Sequence, residues 1–113
     1  MVVAGTDTSP RESLLLELRR GAIVLAVLSQ LHEEEYGYSL KKLLAERGLD
    51  VDEGTLYPLL RRLEAQGLLR SRWRVEDSRP RRYYRLSAQG EKLARELSGE
   101  WKSLARAMDR LLG

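Results

Sequence analysis

Apolar side chains recur at spacings of three and four from Ser13 to about Leu31, with Leu14, Leu15, Leu18, Ala22, Leu25, Ala26 and Leu28 on one face and Ile23 and Val27 filling another. That period predicts a helix, and a helix that is apolar most of the way round is one buried on more than one side. Gly21 inside it costs roughly 1 kcal/mol against alanine, which is explained if another helix packs closely there. Glu33, Glu34, Glu35, Tyr36 and Gly37 break the pattern. A short second helix is predicted from about Tyr38 to Arg47, with Leu40, Leu43 and Leu44 inward, Lys41 and Lys42 outward, and Gly48 as its C′ residue. Asp52 is a suitable N-cap for a third helix through about Gln66, closed by Gly67. Its buried stripe is Leu56, Leu59, Leu60 and Leu63; the opposite side carries Gly54, Pro58, Arg61 and Ala65, with Thr55, Tyr57 and Arg62 on the flanks. Pro58 lies more than one turn inside and should bend the helix against the Gly54 carbonyl.

From residue 68 the period changes to two. Leu69, Ser71, Trp73 and Val75 alternate with Arg70, Arg72, Arg74 and Glu76, and Arg82, Tyr84 and Leu86 alternate with Arg81, Tyr83 and Arg85. Asp77, Ser78 and Pro80 supply turn chemistry between the two runs, so they predict a hairpin whose tip is Arg79-Pro80-Arg81-Arg82. Trp73 is expected in the hairpin core. Ser87 can cap a last helix reaching nearly to Leu112. Along it Leu93, Leu97, Trp101, Leu104, Met108 and Leu111 form a heptad-like seam over about three heptads. At 1.5 Å per residue that helix is roughly 36 Å long. This is more than a small domain can cover, so the seam is expected to meet another chain. The expected fold is mainly α with a two-stranded β-wing: a flexible arm over 1–12, a winged helix-turn-helix domain over 13–86 and a C-terminal dimerisation helix over 87–113.

Composition narrows the functional classes. The 113 residues make about one domain, too few for a second catalytic unit. With 42% hydrophobic and 33% charged residues the chain is expected to be soluble and folded. No stretch approaches the ~18 apolar residues of a membrane span, and the N-terminus does not read as a signal peptide, so no membrane partner is expected. The absence of cysteine excludes disulfides, thiolate metal sites and thiol catalysis, and it fits a cytoplasmic protein. The net charge of +3 is modest, but its distribution is not even. Residues 1–60 hold six basic against ten acidic side chains; residues 61–85 hold nine arginines against three acids, a local surplus of +6.

Candidate catalytic groups are sparse. His32 is the only histidine and falls at a helix end, where a solvated role is favoured because catalysis needs a positioned partner. Glu33, Glu34 and Glu35 are consecutive and so spread around the backbone instead of converging; a solvated run is the favoured reading. Asp50, Asp52 and Gly54 resemble a calcium loop only superficially, since its twelfth position here is Arg61. No phosphate loop or nucleophile elbow is present. The chain is therefore expected to be no enzyme and to carry no metal or cofactor. Duplex DNA is the better-supported partner. Small residues on the third helix let its backbone approach the major groove, and arginines reach phosphates or guanine edges. The arginine-rich tip sits where a wing would meet phosphate, and clustered charge is what phosphate binding requires.

The segments YGYSL at 36–40, EGTLYPLLRRLEAQGLL at 53–69 and RPRRYYRL at 79–86 resemble the PadR family of winged-helix transcriptional regulators, over roughly residues 18–112. The single short C-terminal helix is similar to the small subfamily. The resemblance implies a homodimer bound to a near-palindromic operator as a repressor, dimerised by the last helix against the first. It implies that Gly54, Thr55, Tyr57 and Pro58 enter the major groove, that Arg61 and Arg62 lie near phosphates or base edges, and that Tyr36 and Tyr38 support the motif or touch backbone. Arg79, Arg81 and Arg82 complete the expected DNA contacts. Leu93, Leu97, Trp101, Leu104, Met108 and Leu111 are the expected dimer interface, with Met108 as packing. Trp101 is also a candidate for lining a pocket for a small aromatic effector between subunits. Ser78 departs from the family pattern, which often has glycine before the Arg-Pro-Arg. Two other readings remain open: an adaptor that binds an acidic protein partner through the basic face, and a multidrug sensor whose main event is ligand binding.

Overall fold

The structure is a computed structural model that describes residues 9–113. In chain order it contains α1 (Pro10–Ser29), β1 (Glu35–Tyr36), α2 (Gly37–Glu46), α3 (Glu53–Ala65), β2 (Leu69–Glu76), β3 (Arg79–Leu86) and α4 (Ala88–Leu112). The expected class, mainly helical with a β-wing, is the one found.

Helix boundaries follow from local chemistry. The first helix starts at Pro10, three residues before the expected Ser13, because the Ser9 side chain accepts the Glu12 N–H at 3.2 Å and Pro10 needs no donor at N1. Residues 10–12 of the expected arm are therefore helical, and 1–8 lie outside the described residues. Asp52 caps α3, its Oδ1 accepting the Thr55 N–H at 2.7 Å; the Thr55 side chain and N–H hold its carboxyl below the ordinary range. Both α2 and α3 end in the same way. Gly48 (φ +97°) and Gly67 (φ +80°) reverse the chain, and the amides of Leu49 and Leu68 return to Leu44 and Leu63 at 2.9 and 3.0 Å. These are Schellman closures, which require a left-handed residue at C′. Ser87 caps α4 by accepting the Gly90 N–H and also donates to the Gly67 carbonyl, fastening α4 to the end of α3.

The whole predicted stripe of α3 is buried, together with Val27, Leu28 and Leu31 of the first helix region, Leu40 and Leu44 of α2, and Val51, Leu68, Leu69, Tyr84, Leu86 and Ala94. Each such leucine contributes about 1.5–3 kcal/mol on burial.

The sheet has three strands in the order β1-β3-β2, all antiparallel, and not the two expected. Glu35 faces Tyr84 and Tyr36 faces Tyr83. Two residues are too few to leave an alternating signature, so this strand was hidden in an acidic run. The hairpin also turns earlier than expected. Its two-residue tip is Asp77-Ser78, both in the left-handed region at φ 51° and 64°, while Arg79 to Arg82 lie on β3 opposite Glu76 to Trp73. Pro80 is tolerated there because β1 covers β3 only near its root. Trp73 is 64% exposed and not hairpin core, since the buried apolar residues of the hairpin, Leu69, Tyr84 and Leu86, lie at its root.

Two apolar segments remain open in the single chain. Leu14, Leu15, Leu16 and Leu18 of α1 are exposed, as are Trp101, Leu104, Met108, Leu111 and Leu112 of α4. Leu93 and Leu97 pack on the core, so the α4 seam divides into an inner and an outer half. The radius of gyration is 16.5 Å against about 13 Å for a compact chain of this size, because these helices extend beyond the core. Nothing lies within 4 Å of where a Cβ on Gly21 would sit, so the close helix contact expected there is not made within one chain.

Candidate nucleic-acid interface

The outer face of α3 is small and open. Gly54, Thr55, Pro58, Arg61, Arg62 and Ala65 are all exposed. The helix runs through Pro58 without interruption. Tyr57 is different. It is half-buried with its ring against Gly37, where a Cβ would stand 2.9 Å from Tyr57 Cε1. Burial pushes its phenol up from the ordinary value. Tyr57 thus locks the start of α2 to α3.

Beside α3, the sheet and the start of α2 build a ladder of tyrosines and arginines. The rings of Tyr38 and Tyr36 are 6.5 Å apart and those of Tyr36 and Tyr83 are 5.8 Å apart. The Arg81 guanidinium lies 5.1 Å over Tyr36, and that of Arg74 lies 4.5 Å over Tyr83. Such contacts hold a guanidinium in place without neutralising it. A groove of about 330 Å³ between this ladder and α3 is lined by Tyr36, Tyr57, Arg61, Trp73, Arg81 and Arg82. It gathers five of the expected site residues. Thr55, Pro58 and Arg62 instead line a groove of about 280 Å³ shared with Arg20, Ile23 and Val24 of α1. Arg79 is exposed beside the hairpin tip.

The nine arginines of residues 61–85 are not a single free pool. Glu34 accepts hydrogen bonds from Arg72 at 2.6 and 2.8 Å and from Arg74 at 3.4 Å. Those bonds, chiefly the one to Arg72, hold the Glu34 carboxyl below the ordinary range and push Arg72 up. Glu64 of α3 pairs with Arg82 at 2.7 Å, and the Ser71 hydroxyl donates to the same carboxylate at 2.5 Å. Tyr83 donates to Glu76. Among the described residues, Arg61, Arg62, Arg70, Arg79, Arg81 and Arg85 make no ion pair. The acidic run is accordingly not all solvated, and Arg82 is tied to α3 instead of standing free at the tip. Glu34, Glu64, Ser71, Arg72, Arg74 and Tyr83 are not among the site residues expected from the sequence. Only the outward-facing Arg70-x-Arg72-x-Arg74 alternation hinted at any of them.

His32 lies apart from this face, exposed and 3.0 Å from Glu91 of α4. No group of three or more metal-ligating side chains occurs among the described residues, and none of their helices is long and apolar enough to cross a membrane.

Residues 24–96 match the transcriptional regulator PadR-like family. The chain belongs to that family. This PadR-like protein is 42% identical over 95 residues to the transcriptional regulator Rv3488 of Mycobacterium tuberculosis, covering 74% of this chain and 89% of that one. Its fold is similar to the crystal structure of a PadR family transcriptional regulator from Eggerthella lenta, with 50% identity, a TM-score of 0.81 and coverage of 88% and 89% of the two chains. It is also similar to a PadR family regulator from Clostridium difficile, with 30% identity, a TM-score of 0.74 and coverage of 80% and 98%. The PadR-like chain is thus a transcriptional regulator and not an enzyme. The matched segment runs from the last third of α1 to the third turn of α4, so it includes α3, the ladder and the whole wing.

Proposed function

We propose that this PadR-like regulator is a cytoplasmic homodimer that represses transcription by binding a near-palindromic duplex operator. The observation that carries the reading is the open face of α3. Gly54, Thr55 and Pro58 let the helix approach the major groove, and Arg61 lies with Arg81 on one groove beside it. Arg62 and Arg79 extend the positive surface toward phosphates. The exposed apolar lengths of α1 and α4 support pairing of two chains, which sets two copies of α3 about one duplex turn, ~34 Å, apart. The exposure of Trp101 on the outer half of the seam supports a role in stacking a flat aromatic effector between the subunits.

Selection of duplexes from random DNA tests this. The expected product is an inverted repeat with half-sites one turn apart, retained in a salt-sensitive way. Enrichment of no sequence, or of a single half-site bound by a 13.0 kDa monomer, would overturn it.

A further inference from the structure

Glu64 is the penultimate residue of α3, and only Gln66 to Leu68 connect that helix to β2. A carboxylate at a helix C-terminus opposes the macrodipole and is unfavourable unless something holds it. Here two groups do. Arg82 Nη2 donates to Glu64 Oε1 at 2.7 Å, and Ser71 Oγ donates to Glu64 Oε2 at 2.5 Å. Arg82 Nε closes the triangle by donating to Ser71 Oγ at 3.0 Å. The guanidinium is also 5.7 Å from the Trp73 ring centre and 5.5 Å from that of Tyr84. One side chain therefore joins α3, β2 and β3 on the inner face of the sheet, with about two-thirds of Arg82 and nearly three-quarters of Glu64 shielded from water.

The position of this clamp gives it leverage. Arg82 is four residues up β3 from the buried Leu86, about 13 Å at 3.3 Å per residue. Beyond it, toward the tip, no wing residue is buried. The next residue along β3 toward the tip, Arg81, is on the opposite face and rests on Tyr36. Fixing Arg82 fixes the strand that presents Arg81 and Arg79.

We propose that Arg82 is a positioning residue: through Glu64 and Ser71 it sets the angle between α3 and the wing, and so the preference for operator over other DNA, without itself contacting phosphate. This rests on the DNA-binding reading above. Loss of the clamp leaves the charge of the wing in place, so non-specific attraction persists, but base contacts from α3 and phosphate contacts from the wing no longer fit one duplex together.

The test measures affinity by fluorescence anisotropy across a salt series, on the duplex selected by the wild-type protein and on a scrambled duplex. The variants are Glu64→Ala, Arg82→Met, Arg82→Lys and Arg81→Ala, with circular dichroism as a folding check. Glu64→Ala is informative in sign, because removing an acid near DNA strengthens binding on charge alone. The clamp predicts instead a loss of about tenfold on the selected duplex with scrambled binding unchanged or tighter. Arg82→Met should show the same loss on the selected duplex with an unchanged salt slope on the scrambled one, whereas Arg81→Ala should lower the scrambled-duplex slope by about 0.9. Arg82→Lys, which can still reach Glu64, should recover part of the preference. Should Arg82→Met fail to fold, Glu64→Ala and Arg82→Lys decide. The proposal is overturned if Glu64→Ala binds the selected duplex as tightly as wild type, or if Arg82→Met flattens the salt slope on the scrambled duplex as Arg81→Ala does. A wild-type protein that retains no duplex would overturn both this proposal and the reading beneath it.

Discussion

Glu34 receives both the Nε and Nη2 hydrogens of Arg72, at 2.6 and 2.8 Å, across 38 positions of sequence. The same carboxylate reaches Arg74. Two wing arginines are thereby held by a protein anion where a phosphate could otherwise sit. Glu34→Gln should release both. The expected result is tighter binding to scrambled duplex DNA by several-fold at low salt and a salt slope steeper by up to about 1.8, two further phosphate contacts. An unchanged slope on scrambled DNA would show that Arg72 and Arg74 lie away from the duplex.

The same pair makes a pH prediction. The folded value of Glu34 is depressed, chiefly by its hydrogen bond to Arg72. Its contribution to stability is therefore present above the ordinary glutamate value and is lost as pH falls through the depressed one. A carboxyl carbon titration by NMR should place the Glu34 midpoint below that of an ordinary glutamate, and Arg72→Ala should return it upward. A wild-type midpoint at or above the ordinary value would contradict the pairing.

What the sequence disclosed and what it hid have physical reasons. The helices, the Leu56-Leu59-Leu60-Leu63 stripe and the caps at Asp52 and Ser87 were legible because burial and capping act over three or four residues. The hairpin was legible from its period of two, but its tip was displaced toward Arg79 because Pro80 resembles a turn residue. Strand β1 was not legible, since pairing of Glu35 and Tyr36 with Tyr84 and Tyr83 spans nearly fifty positions. For the same reason nothing local distinguished Arg82, which Glu64 holds, from Arg81, which makes no ion pair among the described residues. Periodicity places a side chain on a face; it does not say which carboxylate waits there.

The wing turn carries removable strain. Both Asp77 and Ser78 are in the left-handed region, which costs an L-residue roughly 1–2 kcal/mol. Glycine adopts it freely but loses more entropy on folding. Ser78→Gly should therefore stabilise the protein by a net of about 0.5–1 kcal/mol, raising Tm by several degrees. A lower Tm would mean that the serine side chain is needed at the turn.

Two glycines of α4 should respond oppositely to alanine. A Cβ on Gly90 would stand 2.0 Å from the Leu68 carbonyl oxygen, a backbone atom that cannot yield without moving the start of the wing. Gly90→Ala should cost about 3 kcal/mol in chemical denaturation. Gly99 has nothing within 4 Å, and Gly99→Ala should gain up to about 1 kcal/mol. Equal effects at both sites would contradict the packing of α4 against Leu68.

The most direct test of the account is the salt dependence of duplex binding by wild type and by the triple variant Arg61→Ala, Arg62→Ala, Arg81→Ala. All three side chains are free of ion pairs among the described residues, so the variant is expected to keep its fold. Wild type should bind the selected operator with a steep salt slope, and the folded triple variant should lose that binding. A folded triple variant that binds as tightly as wild type would contradict the assignment of α3 and the wing as the DNA-reading surface.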